Sequence, residues 1–331
     1  MILSVVEPVT SAANFTDVID HPSGFLALSA RNRRFTVRGI PGFIAYRDQR
    51  NHRVSLGGVH APKSYRSLLL DHFLAKAKRR RRRVICVQLR HDQIDLFRDR
   101  GFTVNQFGTT YGLRLAGFSL AGGRRMKTRQ KVKQARAVGL RVLEVGRELP
   151  ASESTFSVLS DISARWLAGK RKKELEFMTG ELGRPDECER RIFVVSDSLA
   201  RLWGFITYVP VWGSRPGMLH DLSRRLPDAP VGTMELANFT AIERFMTEGI
   251  EYLHFGFTPF AVDGDESTGA SPWLAWFARL LWRHGQAIYP AQSQAGYKLK
   301  WGPDYIEREF IAFRPLSLLA ILDLLTLTRS I

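Results

Sequence analysis

The chain has 331 residues, 44% of them hydrophobic and 11% aromatic, which excludes a disordered chain and suits two domains of roughly 150 residues each. Lysine and arginine number 49 against 32 acidic residues, a formal charge of +17 that calls for an anionic partner, and both nucleic acid and anionic lipid headgroups satisfy it. Cys86 and Cys188 are the only cysteines and show no metal-ligand spacing, which argues against a disulfide framework or structural zinc, and the N-terminus lacks a signal-peptide pattern, so a cytoplasmic chain is expected.

In chain order, residues 34–38 and 42–46 read as short strands around a turn, and 54–56 follow a polar turn at 48–52. Residues 65–77 place Leu68, Leu69, Phe73, Leu74 and Ala77 at helical spacing and run into an unbroken basic block at 78–83. Residues 84–89 suit a buried strand, 93–99 a helix stopped by Gly101, and 109–115 another strand. This order is that of the small mixed α/β acyltransferase domain of GNAT type.

The second half repeats the grammar. A basic helix at 124–138 precedes a strand at 140–145 and an amphipathic helix at 154–167, with Phe156, Leu159, Ile162 and Trp166 on one side. A hairpin at 191–197 and 201–210, a strand at 218–223, a helix at 234–248, a strand at 252–257 and a Trp- and Leu-rich helix at 272–284 follow. Two tandem GNAT-like units are expected, 1–120 and 121–331. The apolar stretch at 316–327 is shorter than the roughly 20 residues that span a bilayer. It reads as a C-terminal helix docked on the second unit, or as one lying on a membrane surface.

Three constellations have the residue types for chemistry. Gly122-Gly123 followed by Arg124, Arg125, Lys127, Arg129, Lys131 and Lys133 offers free backbone N–H groups and cations to phosphate, unless it is simply a solvated basic face. His220-Asp221-Leu222-Ser223-Arg224-Arg225 closes a strand, where an Asp and an Arg orient an amine and accept a proton, or form an ordinary salt bridge. Tyr297-Lys298-Leu299-Lys300-Trp301, with Arg308 beyond, alternates cations with aromatics as a strand lining a cleft does, or as an edge strand with exposed lysines does. The sequence has no Walker loop, no Gly-x-Ser-x-Gly elbow and no His-Glu-x-x-His. It also lacks the Gln/Arg-x-x-Gly-x-Gly/Ala loop on which CoA users of GNAT fold cradle the pyrophosphate, so another acyl donor is favoured.

Several ordered blocks carry a resemblance. They include Gly42 to Tyr46, Ser55-Leu56-Gly57-Gly58, Phe118 to Gly122, Ile162-Ser163-Ala164-Arg165-Trp166-Leu167 and Glu174 to Gly180, in which Met178 replaces a usual serine. Asp221-Leu222-Ser223-Arg224 with Gly232-Thr233-Met234-Glu235, and Tyr297-Lys298-Leu299-Lys300-Trp301 with Pro303, Tyr305 and Arg308, complete the set. Together they resemble the synthase domain of the aminoacyl-phosphatidylglycerol synthases, the C-terminal catalytic part of phosphatidylglycerol lysyltransferases, here as a stand-alone form without the flippase. The Gly-Asp-Pro turn of that family is absent at Gly58-Val59.

The resemblance implies an aminoacyltransferase that moves an amino acid from aminoacyl-tRNA, as co-substrate, to a membrane-lipid hydroxyl, with no metal and no other cofactor. Asp221, Arg224, Lys298 or Lys300, and Glu235 are then the candidates for the reactive centre, and the basic helix is the tRNA or phosphate contact. Anionic lipid or a membrane surface is the second implied partner, with peripheral association at the inner face of the cell membrane. The competing expectations are a tRNA-dependent ligase with a soluble acceptor, a non-catalytic basic module, and a CoA-dependent N-acetyltransferase.

Overall fold

Alternation of apolar and polar residues in the first half produces a meander of β1 (Arg33–Val37), β2 (Ile40–Gln49) and β3 (His52–His60), all antiparallel. The computed structural model describes residues 15–170, 177–178, 180, 182–183, 187, 189–262, 270–285 and 289–329. Ahead of the meander lies a short helix α1 (Gly24–Ala27). Gly42 has φ +113° and a Cβ there would stand 2.3 Å from the His60 carbonyl oxygen, so only glycine lets β2 approach β3 at this point. α2 (Lys63–Arg79) buries Leu69, Leu70, Phe73 and Ala77 on the sheet and returns the chain to β4 (Arg83–Leu89), parallel to β3. α3 (Ile94–Arg98) and β5 (Thr103–Arg114) follow, β5 starting earlier than the sequence suggests.

The second half comprises α4 (Met126–Ala137), β6 (Arg141–Glu144), α5 (Glu153–Lys170), β7 (Arg191–Ser196), β8 (Leu202–Val211) and β9 (Gly217–Arg225). It continues with α6 (Thr233–Thr247), β10 (Tyr252–Pro259), α7 (Pro272–His284), α8 (Ala291–Leu299), β11 (Tyr305–Arg314) and α9 (Leu318–Leu327). The strands form one 11-stranded sheet in the order β1-β2-β3-β4-β11-β5-β10-β9-β8-β7-β6. The mixed α/β, GNAT-like class read from the sequence is what the structure has. The expected units 1–120 and 121–331 share this sheet, and β11, from the second, lies between β4 and β5 of the first.

Two expectations are corrected. Residues 297–301 are not a strand: Tyr297 to Leu299 end α8, and Trp301 follows in a turn. Ala291, Ala295 and Lys298 are its buried positions, spaced four and three apart, and this helical period overrides the short Lys/aromatic alternation. The C-terminal helix α9 packs mainly on β2 and β3 of the first half, in a core it shares with Leu274, Ile311 and Phe313 of the second. Asp323, in the middle of its apolar sequence, bonds His52 Nδ1 at 2.6 Å, which fixes where the helix lies.

Candidate active site

The sheet opens in its second half. β9 and β10 run parallel and pair through Gly217↔Tyr252, Met218↔Leu253 and Leu219↔His254. Beyond that pair both strands continue without pairing to each other. Each is bulged near this point: Thr207 faces Leu222 and Tyr208 faces His220, which leaves Asp221 as the extra residue, and the β10–β5 register shifts between His254 and Gly256. Bulges of this kind bend a strand and re-aim its side chains.

Lys298 fills the opening from α8. Its Nζ donates to the carbonyls of Gly256 (2.8 Å) and Phe257 (2.9 Å) and to Thr258 Oγ1 (2.8 Å), all on β10. Lys298 thus supplies donors to β10 beyond the point where its pairing with β9 ends. Burial pushes its pKa down to about 7. Glu309 on β11 is also buried, and burial pushes its carboxyl up to about 8, with the Lys298 charge opposing.

Lys300, just past α8, donates to Glu235 Oε1 at 2.7 Å, and Lys131 of α4 donates to the same oxygen at 3.1 Å. Burial acts to raise the Glu235 pKa, but Lys300 and then Lys131 outweigh it and hold the carboxylate below its ordinary value. The three meet because α4 and α6 nearly touch: Gly232, the N-cap of α6 at φ +88°, leaves no room for a Cβ, which would stand 2.0 Å from the Lys131 carbonyl oxygen.

Asp221 and Arg224 are held by other partners. The Asp221 carboxylate forms a buried ion pair with Arg190, and a Cβ on Gly180 would stand 1.9 Å from it, so the backbone at 180 lies directly over this group. Arg190 is in turn bonded to Glu187 and stacked 5.5 Å over the Phe25 ring. Arg224 lies over the Trp166 ring of α5 at 4.3 Å and donates to Ser163 Oγ at 3.3 Å. Of the Glu174 to Gly180 block, residues 174–176 and 179 lie outside the described residues.

His220 is the residue that sequence reasoning passed over. Asn238 Oδ1 accepts from Tyr208 Oη at 2.6 Å and stands 3.2 Å from His220 Nδ1. An amide oxygen only accepts, so Nδ1 carries the proton and Nε2 keeps its lone pair. Burial first, then the Lys298 and Lys300 charges, push its pKa down to about 3, against the Asn238 bond. The ring is neutral at physiological pH. Its place before the bulge and its partner 18 residues on are tertiary facts with no local signature. Arg190, 31 residues from Asp221, was equally illegible.

The basic helix divides in two. Arg125 donates to the carbonyls of Trp301 (2.9 Å), Ser119 (3.1 Å) and Gly302 (3.3 Å), and Arg129 to those of Leu120 (2.6 Å) and Gly122 (3.1 Å). Both tie loops to α4. Arg124, Lys127 and Lys133 are exposed and make no ion pair with a described residue. Lys131 belongs to the Glu235 cluster.

The β9–α6 junction is proline-rich and carries two carboxylates. Pro227 and Pro230 have no N–H, the Ala229 and Thr233 N–H groups are spent on Leu226 O and Pro230 O, and Asp228 and Glu235 bring negative charge. No described group of three His, Cys, Asp or Glu residues is placed to hold a metal ion.

A mixed α/β sheet split between two parallel strands, with cations and a neutral imidazole at the split, defines the fold class. Within that class the chain belongs to the family described as phosphatidylglycerol lysyltransferase, C-terminal, which matches residues 14–313. It is 28% identical over 218 residues to the lysylphosphatidylglycerol biosynthesis bifunctional protein LysX of Mycobacterium bovis, which aligns 63% of this chain with 18% of that protein. The corresponding protein of Mycobacterium leprae is 29% identical over 222 residues, covering 63% of this chain and 19% of its own length. The chain thus spans about a fifth of the curated relatives it matches.

Among solved structures, the C-terminal domain of a protein assigned as a lysylphosphatidylglycerol synthetase from Agrobacterium fabrum superposes with a TM-score of 0.78 at 20% identity, covering 96% of both chains. L-PGS from Bacillus licheniformis gives 0.78 at 18% identity, over 96% of this chain and 95% of that one. FemX shares the fold more distantly, at a TM-score of 0.56 and 10% identity over 96% and 98%.

Proposed function

We propose that the chain transfers an amino acid from aminoacyl-tRNA to a lipid hydroxyl, phosphatidylglycerol being the acceptor. Family membership supports aminoacyl transfer to lipid, and the curated relatives are lysylphosphatidylglycerol proteins by name. The observation that carries the reading in this chain is the β9–β10 split, with Lys300, Glu235 and His220 beside it.

The acceptor hydroxyl oxygen attacks the carbonyl carbon of the aminoacyl ester. A new ester bond forms, the bond to the tRNA ribose oxygen breaks, and that oxygen leaves with the proton the lipid hydroxyl gave up. One ester replaces another, so positioning and oxyanion stabilisation matter more than driving force. Lys300, fixed by Glu235, supplies positive charge to the developing oxyanion or to substrate phosphate, and His220 Nε2 accepts a hydrogen bond from the attacking hydroxyl. Lys298 holds the split open. Asp221, paired with Arg190, acts as a positioning group for the segment over β9, and Arg224 is a further cation for phosphate. Arg124, Lys127 and Lys133 meet the tRNA backbone.

The test is to incubate the protein with tRNA charged with each radiolabelled amino acid in turn, plus phosphatidylglycerol, and extract with chloroform. Label entering the organic phase for one or a few amino acids supports the reading. Label confined to a new aqueous product points to a soluble acceptor and overturns it.

A further inference from the structure

Two helices at one end of the molecule carry apolar residues on their outer faces. α9 exposes Leu318 (67%), Leu319 (57%) and Leu322 (45%) while it buries Ala320, Asp323 and Leu324. α7 exposes Trp273, Trp276 (54%) and Leu280 while it buries Leu274, Ala275, Ala278 and Leu281. Leu274, Ala320 and Leu324 belong to one buried cluster with side chains of β2, β3, β4 and β11. Both helices therefore cover the same face of the sheet, and their outer faces look away from it on the same side.

The strand registers place cations at the end of the sheet where these helices begin, at the foot of α2, which itself packs on the opposite face. Arg314, the last residue of β11, pairs with Val84 at the start of β4, and His52 at the start of β3 pairs with Arg83. The unbroken run Lys78-Arg79-Arg80-Arg81-Arg82-Arg83 is therefore at the same sheet end as Arg314 and Arg50. α9 begins there, a few residues after β11, and crosses to His52, with Arg50 3.8 Å from its Asp323. Lys78, Arg79, Arg80, Arg81 and Arg83 are exposed. The family match ends at residue 313, so α9 lies beyond it.

We propose that this end of the molecule is a docking surface for an anionic lipid bilayer, with the leucines and tryptophans of α9 and α7 entering the headgroup boundary and the 78–83 turn meeting lipid phosphates. Apolar insertion and a basic cluster are each weak alone and hold a protein at a membrane when combined. Tryptophan suits the boundary because its ring is apolar with one polar edge. An RNA strand would use the cations but leave the leucines without a role, which is why the bilayer is the occupant argued for. The inference deepens the lipid-acceptor reading above, and binding requires no transfer, so the two are testable apart.

The experiment is co-sedimentation with vesicles of phosphatidylcholine alone or mixed with phosphatidylserine, an anionic lipid other than the proposed acceptor. The protein should bind the anionic vesicles, bind the neutral ones far less, and release as salt rises. The variants L318S/L319S/L322S and R79E/R80E/R81E should each lose roughly tenfold or more in binding with melting temperatures near the parent's. Should the triple leucine variant fold poorly, L322S and W276S must each still weaken binding. Parent protein that ignores anionic vesicles, or variants that bind as the parent does, overturns the proposal. So does an R79E/R80E/R81E variant that loses tRNA binding yet keeps vesicle binding. Transfer to detergent-dispersed lipid, measured in parallel, reports on the reaction without the bilayer.

Discussion

Lys300 and Glu235 form a 2.7 Å ion pair across the junction of α8 and α6, with the lysine side chain a quarter exposed and the carboxylate nearly covered. The neighbouring Lys298 points the other way, into the strand split. Two lysines two residues apart thus sit in different surroundings, one part-exposed beside Glu235 and one buried against β10.

Lys300→Ala should lower the transfer rate by about a hundredfold or more, the scale seen when one preorganised oxyanion donor is removed, while the melting temperature moves little. Rates from single-turnover transfer and a thermal melt of the same preparation read both. A Lys300→Ala protein with parental rate would remove Lys300 from the reactive centre.

Lys298→Met should act on stability. It strips the buried Gly256 and Phe257 carbonyls and Thr258 Oγ1 of their donor, and each buried acceptor left without one costs about 1–3 kcal/mol. Urea denaturation should show the loss as a lower midpoint. Unchanged stability with lost activity would instead put Lys298 in the chemistry.

Asp221→Ala leaves the buried Arg190 with Glu187 as its remaining ion-pair partner, so the loss should stay below the roughly 3–5 kcal/mol of a fully broken buried pair. Part of that loss should be recovered in the double variant Asp221→Ala/Arg190→Met, because the under-compensated charge is gone. Denaturation of the two singles and the double forms the cycle. Additive losses would show that the pair is not coupled.

Glu309 gives a pH dependence with a definite sign. Its carboxyl is pushed up to about 8 in the folded chain from an ordinary value of 4.5, so between those limits the folded state holds a proton that the unfolded state has released. Its contribution to stability is full below about pH 4.5 and is lost as pH rises toward and through 8. Glu309→Gln removes this term, so its stability should fall less than the parent's from pH 5 to pH 8. Parallel stability curves for the two proteins would contradict the assignment.

Much of the fold was legible because its signals are local. The helix at 272–284 has the same limits in sequence and structure, since Ser271 caps it, Pro272 starts it and the apolar spacing runs to His284. The 297–301 segment was misread because five residues of alternation fit a strand, while the helical positions Ala291 and Ala295 that decide the matter precede it. The site was legible as a set of residues and not as an arrangement. Nothing near Asp221 announces Arg190, nothing near Lys298 announces the β10 carbonyls, and the insertion of β11 between β4 and β5 is a pairing across most of the chain.

The central claim is that the acyl donor is a charged tRNA and the acceptor a phospholipid hydroxyl. Mass spectrometry of phosphatidylglycerol recovered after incubation with the protein and aminoacyl-tRNA tests it most directly. The expected result is a new lipid heavier by one aminoacyl group, absent when the tRNA is first digested with ribonuclease and strongly reduced with the Lys300→Ala protein. An unmodified lipid pool after incubation with every charged tRNA, or an acyl group that arrives from acetyl-CoA instead, would contradict it.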